Sequence, residues 1–146
     1  DTVANPAQEA IEEAKKRALG LGVSLRLYNT VPQEQIICEH YPLTNLFINW
    51  EGYVSPCITL SYAEERIFNG ERVHAPCQRF GNIREESLLS IWEKPAYRAF
   101  RQRFEARLNA ERQATLDHLL GGATASSVVM PPAPEGCRTC YYLYGI

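Results

Sequence analysis

Residues 46–57 read LFINWEGYVSPC, the stretch with the clearest local structure in the sequence. Aromatic and β-branched residues stand on either side of Glu51-Gly52, which predicts two strands joined by a tight two-residue turn. Gly52 can supply the positive φ that such a turn requires. Pro56 has no N–H to donate to a strand ladder, so we expect the pairing to end near Cys57.

Cys57 is one of four cysteines whose positions predict a shared metal centre. Cys38 lies on the entry side of the hairpin, and Cys137 and Cys140 form a Cys-x-x-Cys pair close to the end of the sequence. Two thiolates at that spacing can bind one metal centre from a single turn, and the other two would come from either side of the hairpin. Zinc and an iron–sulfur cluster both accept four sulfur ligands, so the residue types leave both metals open.

Two further residues near these cysteines are candidates for other roles. Cys77 would be a free thiol, with ligation as the alternative. His40 would be a surface or packing residue, again with ligation as the alternative.

A thiol redox function for Cys137 and Cys140 is a third possibility. Their position in a proline-rich tail argues against it, because a helix N-terminus is what activates such a pair.

Composition and charge exclude several classes of protein. With 146 residues, of which 45% are hydrophobic, the chain can bury one ordinary core and form one full domain. A formal net charge of −2 gives no basis for binding nucleic acid. No apolar run is long enough to span a membrane and no signal peptide is visible, so we expect a soluble, cytoplasmic protein. Five cysteines in such a protein favour metal binding over a disulfide framework.

The N-terminal residues resemble the end of a larger domain. Asn5-Pro6 is a good helix start, and apolar residues at helical spacing predict a helix over residues 5–21. Val23 to Tyr28 then alternates like a strand. A helix followed by a strand is half of a βαβ unit. We therefore expect residues 1–29 to be the tail of a preceding α/β domain and residues 30–146 to form a separate unit.

The remainder of the sequence predicts a flap, two helices and a linker. Residues 58–76 are polar, contain the turn signal Asn69-Gly70 and read as a flap over the site. Residues 81–92 predict a short helix against the hairpin. Residues 95–120 predict a long helix whose core side carries Tyr97, Phe100, Phe104, Leu108, Leu116 and Leu119. We expect the arginines of the long helix to be solvated, the alternative being a face for an anionic substrate or partner. Residues 121–136 predict a linker or an extended meander.

Taken together, these motifs resemble a known family. Cys38, Gly52 and Cys57, followed by FGNI at residues 80–83, EESLLSIW at residues 85–92, Tyr97, Phe100-Arg101 and the final Cys-x-x-Cys, are similar to the SPASM/twitch domain. That domain follows the barrel of many radical S-adenosylmethionine enzymes, and the resemblance covers about residues 30–146. It implies a small α+β fold with a β-hairpin followed by helices, preceded here by a helix-strand remnant of an α/β barrel.

The resemblance also implies a cofactor and partners. The single-cluster pattern maps onto Cys38, Cys57, Cys137 and Cys140, which would hold one [4Fe-4S] cluster, and it assigns no catalytic residue. The cluster would relay electrons and the domain would help to position a peptide, protein or cofactor substrate, with a ferredoxin or flavodoxin as electron donor or acceptor. Some members with this tail resemble maturases of tungsten-cofactor oxidoreductases. The Cys-x-x-x-Cys-x-x-Cys motif that holds the S-adenosylmethionine-cleaving cluster is absent, so the radical SAM barrel would have to supply the radical chemistry. A four-cysteine zinc module with a structural or partner-binding role is the alternative.

Overall fold

The computed structural model describes residues 6–28, 31–121 and 129–146. It contains helices and two small antiparallel sheets, which confirms the predicted α+β class. The helices are α1 (Pro6–Leu21), α2 (Leu88–Trp92), α3 (Pro95–Leu119) and α4 (Tyr141–Tyr144). The strands are β1 (Phe47–Ile48), β2 (Tyr53–Ser55), β3 (Glu64–Phe68), β4 (Glu71–Ala75) and β5 (Gly81–Asn82).

The predicted first hairpin is present, but its loop is longer than expected. β1 pairs antiparallel with β2, with Phe47 opposite Ser55. The loop contains three residues, Trp50–Gly52, instead of two. It is closed by Asn49, which pairs with Tyr53 through both its backbone and its side chain. Its N–H donates to the Tyr53 carbonyl at 3.0 Å and its Oδ1 accepts from the Tyr53 N–H at 2.9 Å. Gly52 has the expected positive φ of 90°.

A third strand follows where the sequence predicts a helix. β5 pairs with the other edge of β2, with Tyr53 opposite Asn82. The expected helix over residues 81–92 is therefore only partly correct, since α2 begins at Leu88. Ser87 sets this start, because its side chain accepts the Ser90 N–H at 3.1 Å. The side chain of Asn82 also donates to the Glu51 carbonyl at 3.1 Å and so fastens β5 to the hairpin loop.

The polar segment after the first hairpin forms a second hairpin. β3 and β4 pair over their whole length around Asn69-Gly70, with Phe68 opposite Glu71. Both turn residues have positive φ, 50° and 83°, as a tight hairpin turn requires. Phe68 packs against Tyr144 of α4, with ring centroids 4.9 Å apart. This second hairpin therefore lies on the C-terminal segment.

The long helix is confirmed, but its arginines are not all solvated. Tyr97, Phe100 and Phe104 of α3 are buried in the core, as predicted. The expectation for Arg101 and Arg107 is wrong, because their side chains are also buried. Arg101 stacks over the Trp92 ring at 3.9 Å and donates to the Trp92 carbonyl at 2.8 Å, so its charge is accommodated by α2. Leu116 and Leu119, expected on the core side, are exposed.

The segment after α1 is not the predicted strand. The helix itself matches the prediction, from Pro6 to Leu21. Residues 23–28 that follow have no regular structure, because no strand within residues 6–28, 31–121 and 129–146 pairs with them. Leu19, Leu21 and Val23 are exposed. The assignment of residues 1–29 to a preceding α/β domain stays a prediction.

The linker segment is described only at its end. The predicted linker lies mostly outside the described residues, and residues 129–134 run without regular structure into a 3-10 turn, Glu135–Cys137. Ala133 is buried, so the chain rejoins the core before the Cys-x-x-Cys pair. No helix among the described residues is long and apolar enough to cross a membrane.

Candidate metal centre

Cys38 enters the core at a bend that precedes the first sheet. Its side chain is buried, and the backbone N–H groups of His40 and Tyr41 donate to its sulfur. Tyr41 adopts a positive φ of 45° and its N–H donates to the Cys38 carbonyl at 3.0 Å, which turns the chain back over the thiol. Two N–H donors favour the charged form of a sulfur that burial disfavours. The bend therefore suits a thiolate that binds a cation.

Cys57 lies directly after β2, where the strand pairing has ended at Ser55, as the proline before it predicted. A 3-10 turn, Ile58–Leu60, begins at the next residue. The sulfur lies 3.0 Å from the Thr59 hydroxyl oxygen, and the backbone N–H groups of Thr59 and Leu60 also donate to it. As at Cys38, a buried sulfur is surrounded by short-range hydrogen-bond donors.

Cys137 and Cys140 lie at the two ends of one tight turn. Cys137 ends the 3-10 turn Glu135–Cys137, and its carbonyl accepts the Cys140 N–H at 3.1 Å. Cys140 is the N-cap residue that directly precedes α4. Gly136 lets this turn pack against the turn that follows Cys57. A Cβ at residue 136 would lie 2.7 Å from the Leu60 side chain, which is too close. The missing side chain thus helps to bring the C-terminal pair next to the segment of Cys57.

All four thiols belong to one buried cluster. Cys38, Cys57, Cys137 and Cys140 have exposures of 6–9% and lie in the same hydrophobic core. They are close enough to affect each other electrostatically. Burial raises the pKa of Cys38 to about 11, and the neighbouring Cys57 and Cys140 also raise it. Burial likewise raises the pKa of Cys137, with further increases from Cys57, Cys38 and Cys140.

These pKa shifts fit a site for a positively charged, sulfur-ligated group. With no cation present, burial and mutual repulsion keep the Cys38 and Cys137 thiols protonated at neutral pH. A metal that binds thiolates replaces those protons, so its binding is coupled to their release. The donor set is four free cysteines from three segments of the chain, which suits an iron–sulfur group. Within the described ranges, no three His, Cys, Asp or Glu side chains are grouped closely enough to hold a single metal ion. The four thiols therefore share one core without forming a ready-made site for a single ion.

The two other candidates lie outside the buried cluster. Cys77 is exposed, and its sulfur donates to the Ser61 carbonyl at 3.3 Å. The ring of His40 packs on the ring of Tyr142, with centroids 4.4 Å apart, which agrees with the packing role expected for it. Leu143 is part of the same core as the four cysteines, and Tyr142 packs against it.

Two polar residues beside the cluster were not predicted. The Thr59 hydroxyl contacts the Cys57 sulfur. Thr59 follows this predicted ligand by two residues, and that short spacing could have indicated the contact. Arg66 on β3 reaches the Cys-x-x-Cys turn, where its Nη1 lies 3.5 Å from the Thr139 carbonyl oxygen. No local pattern connects Arg66 with a turn 73 residues later in the chain.

The fold and the four buried thiols are those of a small iron–sulfur cluster-binding domain. Residues 38–141 match the SPASM family, described as an iron–sulfur cluster-binding domain, and the chain belongs to this family. The matched region begins at Cys38 and extends one residue past Cys140, so it contains all four cysteines of the cluster. The resemblance found in the sequence is therefore confirmed.

The chain is also similar to a protein of Pyrococcus furiosus. This relative is named as a tungsten-containing aldehyde ferredoxin oxidoreductase cofactor-modifying protein, and it is 31% identical over 65 residues. The aligned stretch is 44% of this chain and 18% of the relative, so the chain spans less than a fifth of the relative's length. No solved structure matches the chain.

Proposed function

We propose that this chain is the auxiliary-cluster part of a radical SAM enzyme, with one [4Fe-4S] cluster bound by Cys38, Cys57, Cys137 and Cys140. Its role is electron relay and substrate positioning during maturation of a peptide, protein or cofactor. The observation that carries the proposal is the burial of four free thiols from three segments in one core. A [4Fe-4S] group supplies one-electron transfer when it is bound.

Relay is the role that suits a fully ligated group. With four cysteine ligands, every iron atom already has a protein ligand, so no iron is open to a substrate. The chain's own residues therefore act by setting the environment of the sulfurs. Burial, the N–H donors at Cys38 and the Thr59 hydroxyl at Cys57 are the means that this chain offers for that purpose. Tyr142 and Leu143 exclude water from the same core.

Substrate positioning has a candidate surface next to Cys38. A cavity of about 460 Å³ is lined by Cys38, Tyr41 and Tyr142 together with Tyr28 and Glu39. Because Cys38 is part of its wall, a molecule in this cavity would lie close to the bound group. Its mixed aromatic and acidic lining fits a substrate that carries both apolar and hydrogen-bonding groups.

The proposal includes a radical SAM barrel in the same parent protein. The relative named as a cofactor-modifying protein supports a place in cofactor maturation, and its greater length leaves room for further domains. The exposed apolar residues around the end of α1, Leu19, Leu21 and Val23, would pack against that barrel. A ferredoxin or flavodoxin would exchange electrons with the assembled enzyme.

Anaerobic reconstitution with iron and sulfide tests the proposal. Wild-type protein and the Cys77→Ala variant are expected to show the broad visible absorption of a thiolate-ligated cluster and an electron paramagnetic resonance signal after reduction by dithionite. Cys38→Ala, Cys57→Ala, Cys137→Ala and Cys140→Ala should each lower the iron and sulfide content. A colourless wild-type protein that binds zinc stoichiometrically would overturn the proposal and favour the zinc module.

A further inference from the structure

Arg66 is an unusual residue because its charged side chain is buried without a full set of partners. The side chain is 8% exposed. Nε and Nη2 have no hydrogen-bond partner in the part of the chain that the structure describes, and neither is exposed to solvent. Leaving buried donors of a charged group unpaired costs free energy, so such an arrangement needs an explanation.

Among the described residues, the guanidinium makes two polar contacts. Nη1 lies 3.5 Å from the carbonyl oxygen of Thr139, at the limit of a hydrogen bond. Nη2 lies 3.3 Å from Oε1 of Glu64, in an ion pair whose geometry does not qualify as a hydrogen bond. The side chain of Glu64 is 52% exposed, so water screens this pair. The guanidinium is therefore only weakly neutralised, and its charge can act on a negatively charged group on its buried side.

The second hairpin fixes where the guanidinium lies. Residues 64, 66 and 68 of β3 lie on one face of the strand, because side chains alternate along a strand. Phe68 on this face packs against Tyr141 and Tyr144 of α4, with ring centroids 5.7 and 4.9 Å apart. The face is thus held against the segment that begins with the Cys-x-x-Cys turn. Arg66 reaches the turn itself, since Thr139 lies between Cys137 and Cys140.

We propose that Arg66 is a positioning residue that holds a positive charge and its Nε and Nη2 donor groups against the sulfurs of the Cys137–Cys140 turn, and thereby raises the reduction potential of the group bound there. The inference rests on the proposed cluster. A bound group that gains one electron becomes more negative by one charge, and a nearby fixed cation stabilises that state. Hydrogen bonds from the guanidinium to the sulfurs act in the same direction. The charge of Arg66 already acts on Cys137, whose thiolate form it stabilises.

The test is a dithionite titration of the reconstituted protein, followed by electron paramagnetic resonance. Each reduced centre takes one electron from dithionite. Arg66→Met keeps a long unbranched side chain without the charge, so we expect at least a tenfold shift of the one-electron equilibrium toward the oxidised form, about 59 mV more negative. Arg66→Lys keeps the charge and should retain most of the wild-type midpoint. Arg72→Met removes an exposed arginine of β4 in the same hairpin and should leave the midpoint unchanged.

The outcomes separate this inference from the proposed function. A wild-type protein that assembles no cluster overturns both. If wild type and Arg66→Met both assemble the cluster with the same midpoint and signal, only the role of Arg66 is overturned, and a loss of stability in that variant would assign it a structural role. If Arg66→Met cannot be loaded, Arg66→Gln decides. It removes the charge but keeps a polar side chain at the buried position, so we expect a more negative midpoint, and an unchanged one would overturn the inference.

Discussion

The Nε atom of Arg107 donates a 2.9 Å hydrogen bond to the carbonyl oxygen of Ile36, 71 residues earlier in the chain. The same guanidinium donates to the carbonyl of Gln35 at 2.8 Å and to the carbonyl of Pro131, and it pairs with Glu34 at 2.9 Å. One side chain of α3 thus joins the segment before Cys38 to the segment before Cys137. These two segments carry cysteines to the cluster, so Arg107 fixes the positions of both.

Replacement of Arg107 by methionine should therefore destabilise the protein strongly. The Arg107 side chain is almost completely buried, and its removal leaves several carbonyl groups without a donor. We expect the free energy of unfolding to fall by about 3–5 kcal/mol, measured by urea unfolding followed by circular dichroism. Arg103→Met, at an exposed position of the same helix, should change it by about 0.5 kcal/mol or less. Equal effects of the two substitutions would contradict this role.

The first hairpin loop offers a comparison between two glycines. Gly52 has a φ of 90°, and a Cβ there would lie 2.6 Å from Oδ1 of Asn82. Gly70 in the second hairpin has a φ of 83°, but a Cβ there would meet nothing within 4 Å. Gly70→Ala should cost about 1–2 kcal/mol from backbone strain alone. Gly52→Ala should cost clearly more, because it also displaces Asn82 from the loop.

Thermal unfolding of the two variants side by side measures this difference. The excess cost of Gly52→Ala reports the steric conflict with Asn82, since the backbone strain is similar in both. If Asn82 is replaced by alanine first, the space near residue 52 opens, and the excess should become smaller. Equal costs at residues 52 and 70 in the wild-type background would show that the contact with Asn82 is unimportant.

Much of the fold could be predicted because its signals are local. Alternation on either side of Gly52, the Asn69-Gly70 dipeptide and the helical spacing of Tyr97, Phe100 and Phe104 each indicated the element that the structure contains. β5 was missed because a two-residue strand, Gly81–Asn82, has no periodicity of its own and forms only because β2 offers a free edge. The reverse error occurred at residues 23–28, where the sequence alternates but no strand in the described part of the chain pairs with them.

The candidate site likewise has parts that local sequence signals predicted and parts that they did not. Cys-x-x-Cys spacing and the position of Cys57 after a hairpin indicated the four thiols, and the structure places them in one core. The buried arginines were missed because a charged side chain is normally exposed. Their positions did carry a signal, since Arg107 follows Phe104 by three residues and lies on the apolar face of α3. Arg66 had no such signal, because its partners come from a distant segment.

Ionisation of Cys38 should make the stability of the iron-free, reduced protein depend on pH. The pKa of its thiol is raised from 9.0 to about 11, mainly by burial. Below pH 9 both the folded and the unfolded states keep the proton, and the full stability is present. Between pH 9 and about 11 the unfolded state loses the proton first, so the free energy of unfolding falls as the pH rises, by about 1–3 kcal/mol in total. Urea unfolding across this range should show a smaller slope for Cys38→Ala than for wild type, and identical slopes would contradict the burial of this thiol.

Loading with iron and sulfide should raise the stability of the folded chain. The four proposed ligands come from three segments that meet only in the folded state, so a group bound to them is coupled to folding. A ligand present at about a thousand times its dissociation constant adds about 4 kcal/mol, which corresponds to an increase in Tm of about 8–16 °C for a chain of this size. Calorimetry of loaded and iron-free protein measures it.

The cysteine variants then show which thiols carry that stabilisation. Cys77→Ala should keep the full increase in Tm on loading, because the exposed Cys77 lies outside the buried cluster. Cys57→Ala and Cys140→Ala should lose most of it, each having removed a sulfur from a different segment. If Cys77→Ala loses the increase as well, the ligand set must include a thiol that this fold holds at its surface, and the cluster would have to draw the segment of Cys77 inward when it binds.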